Sequence, residues 1–189
     1  IHHDTWLAIK AHAGSITGIS PERIFAELDR MLRQPHADRA IALLADAGLL
    51  HEVLPEVSAC VGVAQPPEYH PEGDVFSHTL KALGLMGAHP SPTLAWSVLL
   101  HDIGKPPTMR TTDRIRFNGH DQAGATMAAA VLKRLRASND LVDSVAVCIG
   151  HHMHFMHVTS MRLSTLKKTL ARPTIGDEIE LHRLDCLAS

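Results

Sequence analysis

Two Ser-Pro pairs do most to limit what this chain can fold into. Ser20-Pro21-Glu22 and Ser91-Pro92 each place a capping hydroxyl before a proline. At the first position of a helix, proline has a fitting φ and gives up an N–H that would go unbonded anyway. After Pro21, the residues Phe25, Leu28, Met31 and Leu32 form an apolar stripe at helical spacing. Ala40, Leu43, Leu44 and Ala47 form the next one, in a helix expected from His36 to Ala47 with Gly48 as its stop. Leu49 to Leu54 reads as a further short turn closed by Pro55. Later helices are expected over 74–87, 92–103, 119–136, 139–153, 164–171 and 177–188. Only Arg114–Phe117 looks extended, and it is short enough to be half of a small hairpin. Aromatic content of 4% amid abundant Ala and Leu points the same way, to an all-α fold.

Residues 62–73, GVAQPPEYHPEG, are rich in Pro and Gly and have no period, so they read as a linker. It divides the 189 residues into a small helical module, 1–61, and a larger helical domain, 74–189. A hydrophobic content of 45% can fill a core. Eighteen Lys and Arg against 20 Asp and Glu leave no global basic charge, so any contact with nucleic acid has to be a local patch. The three cysteines, Cys60, Cys148 and Cys186, are odd in number and include no C-x-x-C. They suit reduced thiols in the cytoplasm and argue against a zinc–thiolate centre. No signal peptide or bilayer-length apolar run is visible, so no membrane partner is expected. A start at Ile1 rather than Met reads as a fragment.

Histidine is the outlier, at 15 of 189 residues scattered from His2 to His182. In SVLLHDIGKPP, residues 97–107, an apolar helix delivers His101 and Asp102 at its end, where they are about to be desolvated. The pattern recurs elsewhere. His78 shares a stripe with Val75, Ala82 and Leu85, and Asp185 lies at the edge of Leu181, Leu184 and Ala188. The face of Leu141, Val142, Val145, Cys148 and Ile149 continues onto His152 and leaves His151 pointing away. His120 opens a helix whose Ala123, Gly124 and Ala128 permit close packing. A single His on an apolar face is usually a satisfied core histidine. Six polar side chains at core positions on five helices are not accounted for that way, because an unpaired buried carboxylate is costly. Four His and two Asp without a thiolate suit one or two divalent ions: Mn, Fe, Co, Ni or Zn, with Mg at an oxygen-rich side.

The set His78, His101-Asp102 and Asp185, with the continuation HDIGK, resembles the HD-domain superfamily of metal-dependent phosphohydrolases, an all-α helical bundle. ISPERIFAELDRML, AIALLADAGLLHEVLPEV and HRLDCLAS narrow the likeness. They resemble the neck and C-terminal HD region of the bacterial tRNA nucleotidyltransferase/poly(A) polymerase family, from about Thr5 to Ser189. The resemblance implies that His78, His101, Asp102 and Asp185 hold a first metal. His120 and His152 complete a second, with Asp102 bridging and acting in catalysis. Lys105 is placed to touch a substrate phosphate, or else is a solvated surface lysine. The expected chemistry is hydrolysis of 2′,3′-cyclic and terminal phosphates. The family's head carries paired carboxylates after a Gly-Ser or Gly-Gly turn. No such pair occurs here, so CCA or poly(A) addition is not expected of this chain.

The implied partners are tRNA or an RNA 3′ end, or a nucleotide phosphate, and a homodimer stays open. Candidate phosphate contacts are Arg110, Arg114 and Arg116, then Lys133, Arg134 and Arg136, then Lys167, Lys168 and Arg172. Cations near helix C-termini also serve as ordinary dipole complements. The HHMHFMH run at 151–157 reads as a helix end that supplies one ligand and then packs, rather than as a copper site. Two alternatives to a phosphohydrolase stand beside it: a non-catalytic RNA-binding or dimerising body with a structural metal, and a two-iron oxygenase.

Overall fold

A computed structural model describes residues 2–66, 68, 71, 73–111 and 114–189. The chain begins with α1 (His3–Ala11) and a 3₁₀ segment, Ala13–Gly18. Next come α2 (Pro21–Leu32), α3 (Ala37–Asp46), α4 (Leu49–Val53) and α5 (Pro55–Ser58). The central part holds α6 (Val75–Leu85), α7 (Pro92–Leu100), α8 (Lys105–Thr108) and the two short strands β1 (Arg110–Thr111) and β2 (Ile115–Arg116). It ends with α9 (His120–Arg134), α10 (Asn139–His151), a 3₁₀ stretch His154–Ser160, α11 (Leu163–Leu170) and α12 (Ile175–Ala188). The all-α reading holds, and β1 and β2 form the small antiparallel hairpin with Arg110 opposite Arg116. Thr112 and Asp113, between the strands, lie outside the described residues, as do Pro67, Tyr69, His70 and Glu72 of the expected linker. Among the described residues no helix is long and apolar enough to cross a membrane.

Local chemistry sets most boundaries. Asp74 accepts the Ser77 N–H at 2.8 Å, Ser91 Oγ that of Leu94 at 2.9 Å and Ser138 Oγ that of Leu141 at 3.3 Å. Ser20 precedes α2 without a side-chain bond, so proline at the first position carries that start. Gly48 stops α3 with φ at +77°, a conformation in which a Cβ would be strained. Pro55 opens α5 rather than closing the segment. The helix expected over 92–103 stops at Leu100. Continuing it would need N–H donors at 106 and 107, and both are prolines. The Asp102 carbonyl accepts the Lys105 N–H at 2.9 Å instead, and a turn carries His101 to Gly104. The N-terminal helix α1 buries no residue, so it has no apolar stripe by which the sequence could mark it.

The apolar core is continuous from Leu28 to Ala188. Helices α9 and α10 pack against each other, α12 packs on α6 and α7, α3 lies against α6 and α2 against α7. Phase differs from expectation at two points. Around α3, Ala37 and Ile41 point inward together with Ala47 and the half-buried Leu44 while Leu43 turns outward, and in α6 Leu85 is exposed at the helix end. Between the N-terminal helices and the rest, Phe25 stacks on Trp96 at 5.4 Å and Trp96 Nε1 donates to Asp29 at 3.1 Å. Arg134 of α9 grips Glu56 of α5 through the two terminal guanidinium nitrogens, at 2.5 and 2.8 Å.

Candidate metal centre

Five elements end at or cross one place. His78 lies one turn into α6, and His101 and Asp102 occupy the turn after α7. His120 is the first residue of α9, His152 follows the last of α10, and Asp185 sits in the last turn of α12. All but Asp185 are buried, and Asp185 is partly so. Gly104 of HDIGK allows this convergence. A Cβ there would meet the His120 carbonyl oxygen at 2.1 Å and the Gly124 nitrogen at 2.6 Å. Any side chain at 104 would therefore drive the start of α9, and His120 with it, away from Asp102.

Backbone carbonyls set the imidazoles. The Nδ1–H groups of His101, His120 and His152 donate to the carbonyls of Val98, Phe117 and Ile149 at 2.9, 2.8 and 2.6 Å. In each case the acceptor lies three residues earlier in the chain. With that proton fixed on Nδ1, each neutral ring presents an Nε2 lone pair to the interior. His120 Nε2 and His152 Nε2 face each other at 3.2 Å. Two lone pairs at that separation repel unless a proton or a cation lies between them. His78 Nε2 is 2.9 Å from Asp185 Oδ1, which is 3.9 Å from His101 Nε2. Asp102 spans the two groups, with Oδ2 3.3 Å from His101 Nε2 and Oδ1 3.7 Å from His120 Nε2.

Potential ligand atoms of His78, His101 and Asp185 lie within 4.8 Å of one another, and so do those of Asp102, His120 and His152. Among the described residues, His101 Nε2 and Asp102 Oδ2 are buried without a hydrogen bond of acceptable geometry. A buried polar atom without a hydrogen bond costs about 1–3 kcal/mol, a cost that the Lys105 ammonium beside Asp102 Oδ2 offsets only in part. A borderline divalent cation is the species this nitrogen and oxygen donor set suits.

Electrostatics agree. Burial opposes charge on His101, yet the Asp102 carboxylate, and then Asp185, outweigh it and push the imidazolium up to about 9. A proton and a metal ion therefore compete for the same Nε2. Burial, reinforced by the charge of His101, lowers His152 to about 4 and keeps it a neutral donor. Burial would raise Asp102 and Asp185, but His101 and Lys105 hold the first well below the usual carboxylate range, and the His78 bond lowers the second. Behind the site, the Cys60 thiol is pushed up to about 12 by burial and the nearby Asp102 charge, so it offers no thiolate.

Lys105 is neither solvated nor in the open. It is buried, with Nζ 2.7 Å from Asp102 Oδ2, 2.6 Å from Gln65 Oε1 and 5.5 Å from the centre of the Phe117 ring. Its approach to Asp102 is one of charge rather than of hydrogen-bond alignment. Gln65 gave no sequence signal, since it lies in an aperiodic stretch. His151 is outside the cluster, its Nδ1–H on the Val147 carbonyl at 2.8 Å and its ring against His154 at 4.6 Å. Of the cations, Arg110, Arg114 and Arg116 are on the hairpin that leads through Phe117 to His120. Lys133 and Arg134 close the far end of α9, about 20 Å away at 1.5 Å per residue. Lys167 and Lys168 are exposed on α11, Arg136 is exposed beyond α9, and Arg172 is paired with Glu178.

Residues 75–187 match the model of the HD domain family. The chain belongs to that family. Residues 1–60 of this HD domain protein match a second family, described as a probable RNA and SrmB-binding site of polymerase A. It is 39% identical over 155 residues to the multifunctional CCA protein of Halorhodospira halophila, covering 82% of this chain and 37% of that protein. Those of Pseudomonas paraeruginosa and Alkalilimnicola ehrlichii are 34% and 35% identical over 161 residues each. These two alignments take in 85% and 83% of this chain and 39% and 38% of the relatives. The HD domain protein thus spans less than two fifths of the length of these relatives. The likeness to the tRNA nucleotidyltransferase family read from its neck and HD motifs holds.

Proposed function

We propose that this chain is a metal-dependent phosphohydrolase acting on 2′,3′-cyclic or terminal phosphates, with an RNA 3′ end as the larger substrate. The observation that carries the proposal is the inward set of Nε2 atoms around Asp102, fixed by backbone carbonyls before any ligand arrives. His78, His101, Asp102 and Asp185 would hold one divalent ion, and Asp102, His120 and His152 a second. Bound there, such ions supply Lewis acidity and a water acidic enough to act as hydroxide near neutral pH. The chain's own part is preorganisation. Val98, Phe117 and Ile149 fix the tautomers, Asp102 couples the two halves, and burial excludes bulk water from them. The Lys105 ammonium adds fixed positive charge beside Asp102, where a phosphoryl oxygen would gain negative charge. Support for RNA comes from the family matched by residues 1–60 and from relatives named as CCA proteins. The hairpin cations Arg110, Arg114 and Arg116 are the nearest candidates along the chain to the site for phosphates of a longer strand. The test is turnover of 2′,3′-cyclic AMP and of a terminal phosphomonoester by protein stripped of metal and resupplied with Mn, Fe, Co, Ni, Zn or Mg. Turnover that appears with metal and vanishes with chelator is expected. Metal binding that raises the melting temperature while every substrate stays intact would leave a structural clamp instead.

A further inference from the structure

Gln65 falls between the two matched regions, 1–60 and 75–187, on the stretch from α5 to α6. Its side chain is nonetheless buried, with 4% of the residue exposed. Gln65 Oε1 accepts a hydrogen bond from Lys105 Nζ at 2.6 Å. That contact fixes which end of the amide is which, because an ammonium has donors and no acceptor. The other end is therefore the NH₂ group, and Nε2 has no hydrogen-bond partner among the described residues. A buried amide donor without an acceptor is unfavourable, and such groups in native proteins call for an explanation, a missing ligand among them. Lys105 Nζ lies 2.7 Å from Asp102 Oδ2, so a line of contacts runs from Gln65 through Lys105 to the candidate ligand set.

We propose that Gln65 is a phosphate-binding residue of this site. Its Oε1 holds the Lys105 ammonium beside Asp102, and its Nε2–H donates to a non-bridging oxygen of the bound phosphoester. The ligand class is a phosphate monoester or cyclic diester, and only that choice rests on the phosphohydrolase reading. Gln65 takes no part in bond making or breaking. Gln65, which lies between the two matched regions, then forms part of the site wall.

The test compares wild type with Gln65→Glu and Gln65→Leu, all loaded with Mn(II). It measures inorganic phosphate binding by calorimetry, then KM and kcat for 2′,3′-cyclic AMP. Gln65→Glu keeps an oxygen for Lys105 but replaces the donor with an acceptor. Phosphate affinity should fall about 10- to 100-fold and KM should rise to match, with a smaller change in kcat. Bound Mn(II) and the melting temperature should stay at wild-type values. Gln65→Leu also frees Lys105, and should lower both phosphate affinity and kcat. A merely structural role predicts the reverse, because Glu pairs with Lys105 at least as well as Gln does. Wild-type phosphate affinity in Gln65→Glu overturns the proposal, as does a wild-type protein that binds no phosphate. Phosphate binding that depends on Gln65 but comes without turnover of any substrate would remove the phosphohydrolase reading alone. Turnover with the same KM in all three proteins would remove the Gln65 reading alone.

Discussion

Asp102→Ala is expected to lower metal-dependent phosphate-ester hydrolysis by on the order of 10³-fold or more, through loss of bound metal as well as of turnover. Asp102 is the one side chain of the cluster with oxygens near both halves, at 3.3 Å from His101 and 3.7 Å from His120. It is also the carboxylate that balances the buried Lys105 ammonium, 2.7 Å away. Removing it leaves the Lys105 ammonium with less compensation in a dry setting, so the metal-free variant should also melt lower. Asp102→Asn keeps the shape and separates the two effects, since it should fold better than the Ala variant while losing activity to a similar extent. Metal content, kcat and thermal melting of the three proteins check this. Full activity in Asp102→Ala with any of the six metals would contradict the assignment of Asp102 to the site.

The second large effect lies away from the cluster. Glu178 of α12 is fully buried and accepts two bonds from Arg172, at 2.8 and 2.5 Å, and one from the Thr174 hydroxyl at 2.7 Å. Arg172→Ala would leave that carboxylate buried with only Thr174, a change that typically costs about 3–5 kcal/mol. For a chain of this length such a loss corresponds to a fall in melting temperature of roughly 6–20 °C. Adding Glu178→Leu should restore much of it, because no unpaired charge is then left buried. Weakened RNA binding in Arg172→Ala with a small melting shift would instead identify Arg172 as a phosphate contact. A thermal melt of the single and double variants, with tRNA binding across a salt series, decides between the two roles.

Where the sequence spoke through period and capping, it was readable. The stripe of Leu141, Val142, Val145, Cys148 and Ile149 carried its phase onto His152, and the structure buries that ring in the cluster and leaves His151 outside. Two Ser-Pro pairs placed the starts of α2 and α7 to the residue. What stayed hidden had no periodic signature. Gln65 is buried from an irregular stretch, where neither spacing nor propensity marks an inward side chain. Lys105 follows a helix end, where lysine is ordinarily solvated, and only the tertiary positions of Gln65 and Phe117 explain its burial. Arg134 and Arg172 read as free cations because their carboxylate partners, Glu56 and Glu178, are fixed by packing and loop geometry. Gly104 stands within HDIGK, but its reason is steric and appears only when α9 lies against it.

Metal content per chain tests the central claim most directly, measured by elemental analysis on wild type and His120→Ala purified without chelator. Facing Nε2 atoms 3.2 Å apart, with Asp102 oxygens near both groups, predict close to two divalent ions in wild type and close to one in the variant. Protein that carries no metal, and takes up none from Mn, Fe, Co, Ni, Zn or Mg, would contradict the metal centre and the hydrolysis proposed for it.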